Sequence, residues 1–282
     1  MTHKHPQNEA CAGYCVHCDE IHSLGEGNSR VHALELMKIL EDKKRIDLTV
    51  EEHEANPAFH TDHLWKEARG KMFGVLECLN DKGETIILKA FSGGQSHGVW
   101  NVDGWAPVLL DVEAYDKMIG PVDAKIKELT EIVLSLEKGS PEYCEKSFER
   151  KKICQQLMKD IHALYSVHNL SGQRHNIYDS FIHNDKNIPT GAGDCCATKL
   201  INEAARLKLK PVGISEFFWG KETRSGSRHP GQFYHACKEK CQPLLGYMLC
   251  QHRTPSPLNN TTSEASPCAV QSSTLASSLR TK

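Results

Sequence analysis

Residues 72–91 read MFGVLECLNDKGETIILKAF. Two apolar runs, 72–79 and 85–91, carry the Val, Ile, Thr and Phe types that favour strands. They flank NDKGE, where Gly83 suits a hairpin turn, so an antiparallel strand pair is predicted. Further along, CCATKLINEAARLKLK (195–210) predicts a helix and PVGISEFFWG (211–220) the strand that follows it. A further helix start is expected around ACKEKCQPLLGYML (236–249). Hairpin, helix, strand and helix together define an α+β or α/β domain built on a small sheet.

Outward from this core, Leu34, Leu36, Met37 and Leu40 recur at helical spacing in VHALELMKILEDKK. Residues 51–70 are polar, with Pro57 near the start of an expected helix. Residues 121–168 read as a helical hairpin inserted into the main domain. One apolar stripe is Val122, Ile126, Leu129, Val133 and Leu136, and the other is Phe148, Ile153, Leu157, Ile161 and Leu164. Gly139-Ser140-Pro141 divides them, with Pro141 placed in the first turn of the second helix. The chain thus divides into a loop-like Cys/His-rich segment at 1–30, a main domain at 31–252 and a tail at 253–282. Twelve of the last 29 residues are Ser or Thr, which predicts disorder.

The 282 residues are 39% apolar and 25% charged, with a net charge of −2, the composition of a soluble globular protein. No apolar run approaches the length of a membrane span, and MTHKHPQNEACAGYC has no secretory character, so a cytoplasmic protein without membrane association is expected. The near-neutral charge argues against a generally cationic, nucleic-acid-coating surface; Arg206, Lys208, Lys210, Lys221 and Arg224 make only a modest basic patch. Twelve cysteines and sixteen histidines are the unusual numbers, and without an export signal they point to metal or thiol chemistry rather than to disulfides.

Three motifs carry that chemistry. Cys11, Cys15 and Cys18 are spaced C-x3-C-x2-C. Radical-SAM iron–sulfur loops share this spacing, but the strand that should precede it is missing. A zinc knuckle built on Cys15 and Cys18 with Cys11, His17 or His22 fits better. PTGAGDCCATKL (189–200) puts Gly191, Gly193 and Asp194 before a helix, as in the anion-binding turn of ribokinase-like sugar kinases. The long run of βα units those kinases carry upstream is absent. The third motif joins Cys195 and Cys196 to Cys237 and Cys241, each pair at an expected helix start, where thiol pKa values fall. Zinc-dependent nucleobase deaminases use this order of hairpin, ligand helix, strand and ligand helix. Two departures stand out: Ala197 or Thr198 occupies the place of the proton-shuttling Glu, and the second pair is C-x3-C instead of C-x2-C. Cys78, Cys144, Cys154, Cys250 and Cys268 take no part in these motifs. His60 and His63, the acidic run at 51–54, and Trp100 and Trp105 read as surface or self-packing features.

The motifs Gly70–Leu76, Ala90–Gly93, Gly191–Leu200, Pro211–Gly220 and Arg228–Tyr234, with Cys237, Cys241 and Pro243–Leu245, occur in an order that resembles one bacterial extension. It is the N-terminal region of some RluA-type RNA pseudouridine synthases, and the similarity covers roughly residues 55–250. The His-Arg-Leu-Asp catalytic loop of those enzymes has no counterpart here. The resemblance therefore implies a stand-alone module linked to RNA modification, recognising RNA or an RNA-modifying protein without the synthase chemistry. The metal expected is zinc, held by Cys195 or Cys196 with Cys237 and Cys241, and by a second set of Cys11, Cys15, Cys18 and His22. The alternative is a diverged zinc- or thiol-dependent hydrolase acting on a nucleotide or base, with Cys196 as nucleophile or ligand and His229 or His235 as acid or base. A sugar kinase is the remaining reading.

Overall fold

The computed structural model describes residues 10–94, 98–181, 188–238 and 240–252. The Ser/Thr-rich tail at 253–282 lies outside the described residues. The fold is mixed α+β. Its elements are β1 (Cys11–Cys15), β2 (Glu20–Leu24), α1 (Ser29–Lys43), β3 (Lys71–Leu79), β4 (Thr85–Phe91), α2 (Val112–Ser135) and α3 (Pro141–Ala163). There follow β5 (Ser166–His168), β6 (Arg174–Asn176), α4 (Cys196–Arg206), β7 (Lys210–Trp219), β8 (Phe233–Tyr234) and α5 (Gln242–Met248).

The main sheet runs β4-β3-β7-β8, with every neighbouring pair antiparallel. Strands β4 and β7 therefore point the same way on either side of β3, and α4 leads into the second of them. Both faces of β3 are covered, which is why Phe73–Cys78 is buried without a polar alternation. Phe73, Val75, Phe91 and Phe217 pack with Ala33, Leu36 and Leu40 of α1. On the opposite face Leu76, Cys78, Ala90 and Ile214 meet Ala197, Leu200, Ile201 and Ala204 of α4. Gly74 permits the close seating of α4, because a Cβ there would lie 2.8 Å from the Cys196 Cβ. Lys199, fully buried in α4, ties the helix to the end of β4 by donating to Phe91 O at 2.9 Å and Gly93 O at 2.6 Å.

Four expectations need correction. The stretch before α1 is not loop-like: β1 and β2 form a hairpin, with Cys11 opposite Leu24 and Cys15 opposite Glu20. The region around Pro57 forms short 3-10 turns (Glu52–Glu54, Pro57–Phe59, Asp62–Trp65) in place of an α-helix, because no long apolar stripe holds it to the core. The helical hairpin starts earlier than 121 and ends before 168. Asp111 accepts the Ala114 amide at 3.1 Å and caps α2, Pro121 lies inside that helix, and Ser166–His168 is a strand. Ser140 caps α3 through the Tyr143 amide, with Pro141 in its first turn. Phe148, assigned to the second stripe, is exposed, whereas Leu129 and Val133 of the first are buried.

Candidate metal centres

The turn of the β1–β2 hairpin and the chain just beyond α5 meet at the first centre. Cys15, Cys18, His22 and Cys250 each offer a ligand atom, and these atoms lie within 4.8 Å of one another. Cys18 Sγ is 3.0 Å from His22 Nε2 and 3.8 Å from Cys250 Sγ. The tight turn places Cys18 beside Cys15: the Asp19 amide donates to Cys15 O at 3.0 Å, with Asp19 at φ 61°. The approach of α5 depends on two glycines. A Cβ on Gly13 would collide with Gln242 O and the Gly246 amide, and one on Gly246 with Tyr14 O. Because β1 and α5 touch backbone to backbone, Cys250 is carried to the hairpin turn. Burial lowers the His22 pKa, which keeps its imidazole in the neutral form that metals bind.

Cys11 takes no part in this centre. It sits at the end of β1 away from the turn, about 13 Å along the strand from Cys15 at ~3.3 Å per residue, and is buried in the core. Cys250, which belongs to no spacing motif, takes the fourth place.

The second centre gathers Cys195, Cys237 and Cys241, again with all ligand atoms within 4.8 Å. Cys195 is the N-cap residue of α4 and Cys241 that of α5, so two helix starts are brought together, with Cys237 arriving from the loop after β8. Cys196 is excluded. One residue further along α4 it points at the sheet, fully buried, donating its thiol to Met72 O at 3.3 Å. Burial pushes that thiol well up, which also removes it as a nucleophile at neutral pH.

Without an ion the three sulfurs share protons unevenly. Thiol hydrogen bonds from Cys195 and Cys241, joined by the Lys240 and Cys241 amides, hold Cys237 far below the ordinary thiol range. Donation to Cys237 and to Cys241, and then burial, push Cys195 up. A bond from Cys195 favours the Cys241 thiolate, but donation to Cys237 and burial outweigh it and raise Cys241 to about 12. Position at a helix start therefore does not lower every thiol here: Cys237 is pulled down while Cys195 and Cys241 are pushed up. Backbone amides aimed at sulfur are the outer-shell support that metal–thiolate centres use.

The PTGAGD turn serves this centre. Gly191 and Gly193 have φ values of 76° and 91°. The Ala192 and Asp194 amides donate to Pro189 O and Gly191 O, while Gly193 donates to the Cys241 sulfur. These three amides are thus engaged within the turn and by the Cys241 sulfur. Asp194 accepts the Tyr165 hydroxyl at 3.1 Å.

A residue that no sequence motif singles out lies within electrostatic reach of Cys195 and Cys237. Glu216 of β7 points to the α4 face, its Cγ near the site of a Gly74 Cβ, and it raises the pKa values of both Cys195 and Cys196. It is 6% exposed, and its Oε1 is buried with no hydrogen-bond partner among the described residues. Burial, reinforced by the charge on Cys237, raises its carboxyl to about 8 against the opposing pull of Arg228. Glu216 also lines a cleft of about 550 Å³ with Arg30, Gln232, Tyr234 and His235. His235 is exposed at that cleft; His229 stands on the surface, 3.3 Å from Glu222. The only sequence signal for Glu216 was a carboxylate inside an otherwise apolar strand.

Among the described residues no helix is long and apolar enough to cross a membrane. No family model, curated protein or solved structure matches the chain.

Proposed function

We propose that the chain is a zinc-dependent hydrolase of deaminase-like design, acting on a base or nucleotide and stabilised by a second, structural zinc. The observation that carries this reading is the convergence of Cys195, Cys237 and Cys241 within electrostatic reach of Glu216, a buried carboxyl whose Oε1 has no hydrogen-bond partner among the described residues. Three protein ligands are the donor count of catalytic zinc centres, whereas four close a structural one. The element order supports it: the β3–β4 hairpin, a ligand at the start of α4, strand β7, and a ligand at the start of α5. Ala197 and Thr198, where a deaminase carries its Glu, are both buried, and Glu216 supplies a carboxylate from the neighbouring strand. Zinc bound to the three thiolates would supply a Lewis acid for hydrolysis. In this reading the ionised Glu216 carboxylate would accept the proton of an attacking water and return it to the leaving group, and His235, exposed at the cleft that Glu216 lines, would provide a donor.

Metal analysis of fresh, reduced protein, paired with an assay for ammonia released from nucleosides, tests this reading. Two zinc ions per chain are expected, with turnover lost in Glu216→Gln while both ions remain. Zinc-free protein, or a Glu216→Gln protein of full activity, overturns it.

A second reading is favoured by the motif order over 189–250 and its resemblance to the RluA-type extension. There both centres are structural and the chain is a module recognising RNA or an RNA-modifying protein. It predicts salt-sensitive RNA binding with no turnover of any nucleoside.

A further inference from the structure

A second cavity, of about 260 Å³, lies where the start of α2, the end of α3, the loop after β4 and the PTGAGD turn meet. We propose that it binds a planar heteroaromatic ring bearing an amino donor, of the nucleobase type, with Asp194 as the group that recognises the amino edge. The size lies just under the ~300–1,000 Å³ of drug-sized pockets, which suits a single ring system. Trp100 and Tyr115 form an aromatic wall, edge to face at 5.0 Å, and Met158 and Ile161 supply aliphatic surface. Gly94 belongs to this design, because a Cβ there would lie 2.8 Å from the Trp100 ring. Aromatic faces of this kind stack on bases without regard to sequence.

The polar end discriminates. The Asp194 carboxylate takes one hydrogen bond among the described residues, from the Tyr165 hydroxyl. The two nearby ammonium groups are occupied elsewhere: Lys240 donates to Thr190 O at 3.0 Å, and Lys199 to the Phe91 and Gly93 carbonyls. Asp194 therefore keeps acceptor capacity facing an apolar chamber, where a ligand amino group satisfies it at little cost in water. His162, kept neutral by burial, lines the same end. Asp194 directly precedes Cys195 in the chain, and the thiols themselves do not line this cavity. The proposal names the substrate class of the hydrolase reading and rests on that reading for its chemistry, though not for binding.

Calorimetric titration of the full chain with cytidine and adenosine, against uridine and inosine, is the test. The amino-bearing pair should bind at least about tenfold more tightly, the worth of one charge-assisted hydrogen bond. Asp194→Asn should erase that preference, and Trp100→Ala should weaken all four nucleosides. Equal binding of the two pairs, or a preference that survives in folded Asp194→Asn, overturns the proposal; so does unchanged affinity in Trp100→Ala should Asp194→Asn fail to fold. An oligocytidylate arm separates a base in RNA, bound more tightly than cytidine, from a free nucleoside, bound equally well. If the Asp194-dependent preference holds but no ammonia is released, the hydrolase reading alone fails. If ammonia is released at an unchanged rate by Asp194→Asn, the cavity proposal alone fails.

Discussion

The two metal centres are built by opposite means. The N-terminal one takes three of its ligands from a short hairpin, Cys15, Cys18 and His22, and only Cys250 from far away. The other takes one ligand from the start of α4 and two from the approach to α5, within electrostatic reach of Glu216, which itself lines an open cleft. In the proposed reading, four donors make the first centre a clasp, and three donors near Glu216 make the second a workplace. The lesson is that an ion's role is read from the number of donors and from what surrounds the vacant side, since thiol chemistry is common to both.

That contrast can be broken experimentally, and the steepest effect should come from the clasp. Cys18→Ser is expected to cost roughly 5 kcal/mol or more, because metal binding at a closed centre enters folding free energy directly. Thermal denaturation with and without a chelator would show it, and a Cys18→Ser protein as stable as the parent would undo the distinction. Next in size is Gly246→Ala, which forces apart the β1–α5 contact. A loss of about 1–3 kcal/mol is expected, together with weaker metal retention at the hairpin centre. Cys195→Ser should lower bound zinc from two ions to one and abolish turnover while shifting the melting temperature less than Cys18→Ser does. Elemental analysis beside an unfolding curve separates the two. The smallest effect belongs to Cys11→Ala, which should keep both ions and lose only the packing of one small buried side chain, about 1 kcal/mol. A lost ion in that variant would return Cys11 to the ligand set.

The core was legible because its strands are rich in apolar residues and α4 carries an apolar stripe: 72–79, 85–91 and 211–219 all form β-structure, and 196–206 is helical. The β1–β2 hairpin was not, since its residues are chosen for ligation and turn geometry, and their polar character hides the strands. Cys250 could not be read because its neighbour Cys18 lies 232 positions away, and the packing of α5 on the hairpin, close at Gly13 and Gly246, brings them together. Choosing between Cys195 and Cys196 required knowing where α4 begins. Adjacent residues at a helix start diverge by about 100°, one toward the thiols and the other into the sheet. Glu216 was masked by its setting, because an apolar strand gives no periodic hint that one of its positions faces a polar centre.

Helix α5 has Cys241 at its first turn and leads into Cys250, so it belongs to both centres at once. During synthesis this imposes an order of events. The hairpin ligands emerge from the ribosome first, yet their set is completed only when residue 250 has been made. The three thiols of the second centre are already available by residue 241. A nascent chain thus carries every ligand of the three-thiol centre before the last ligand of the hairpin centre exists, and the hairpin cannot be fastened until nearly the whole described chain has been made.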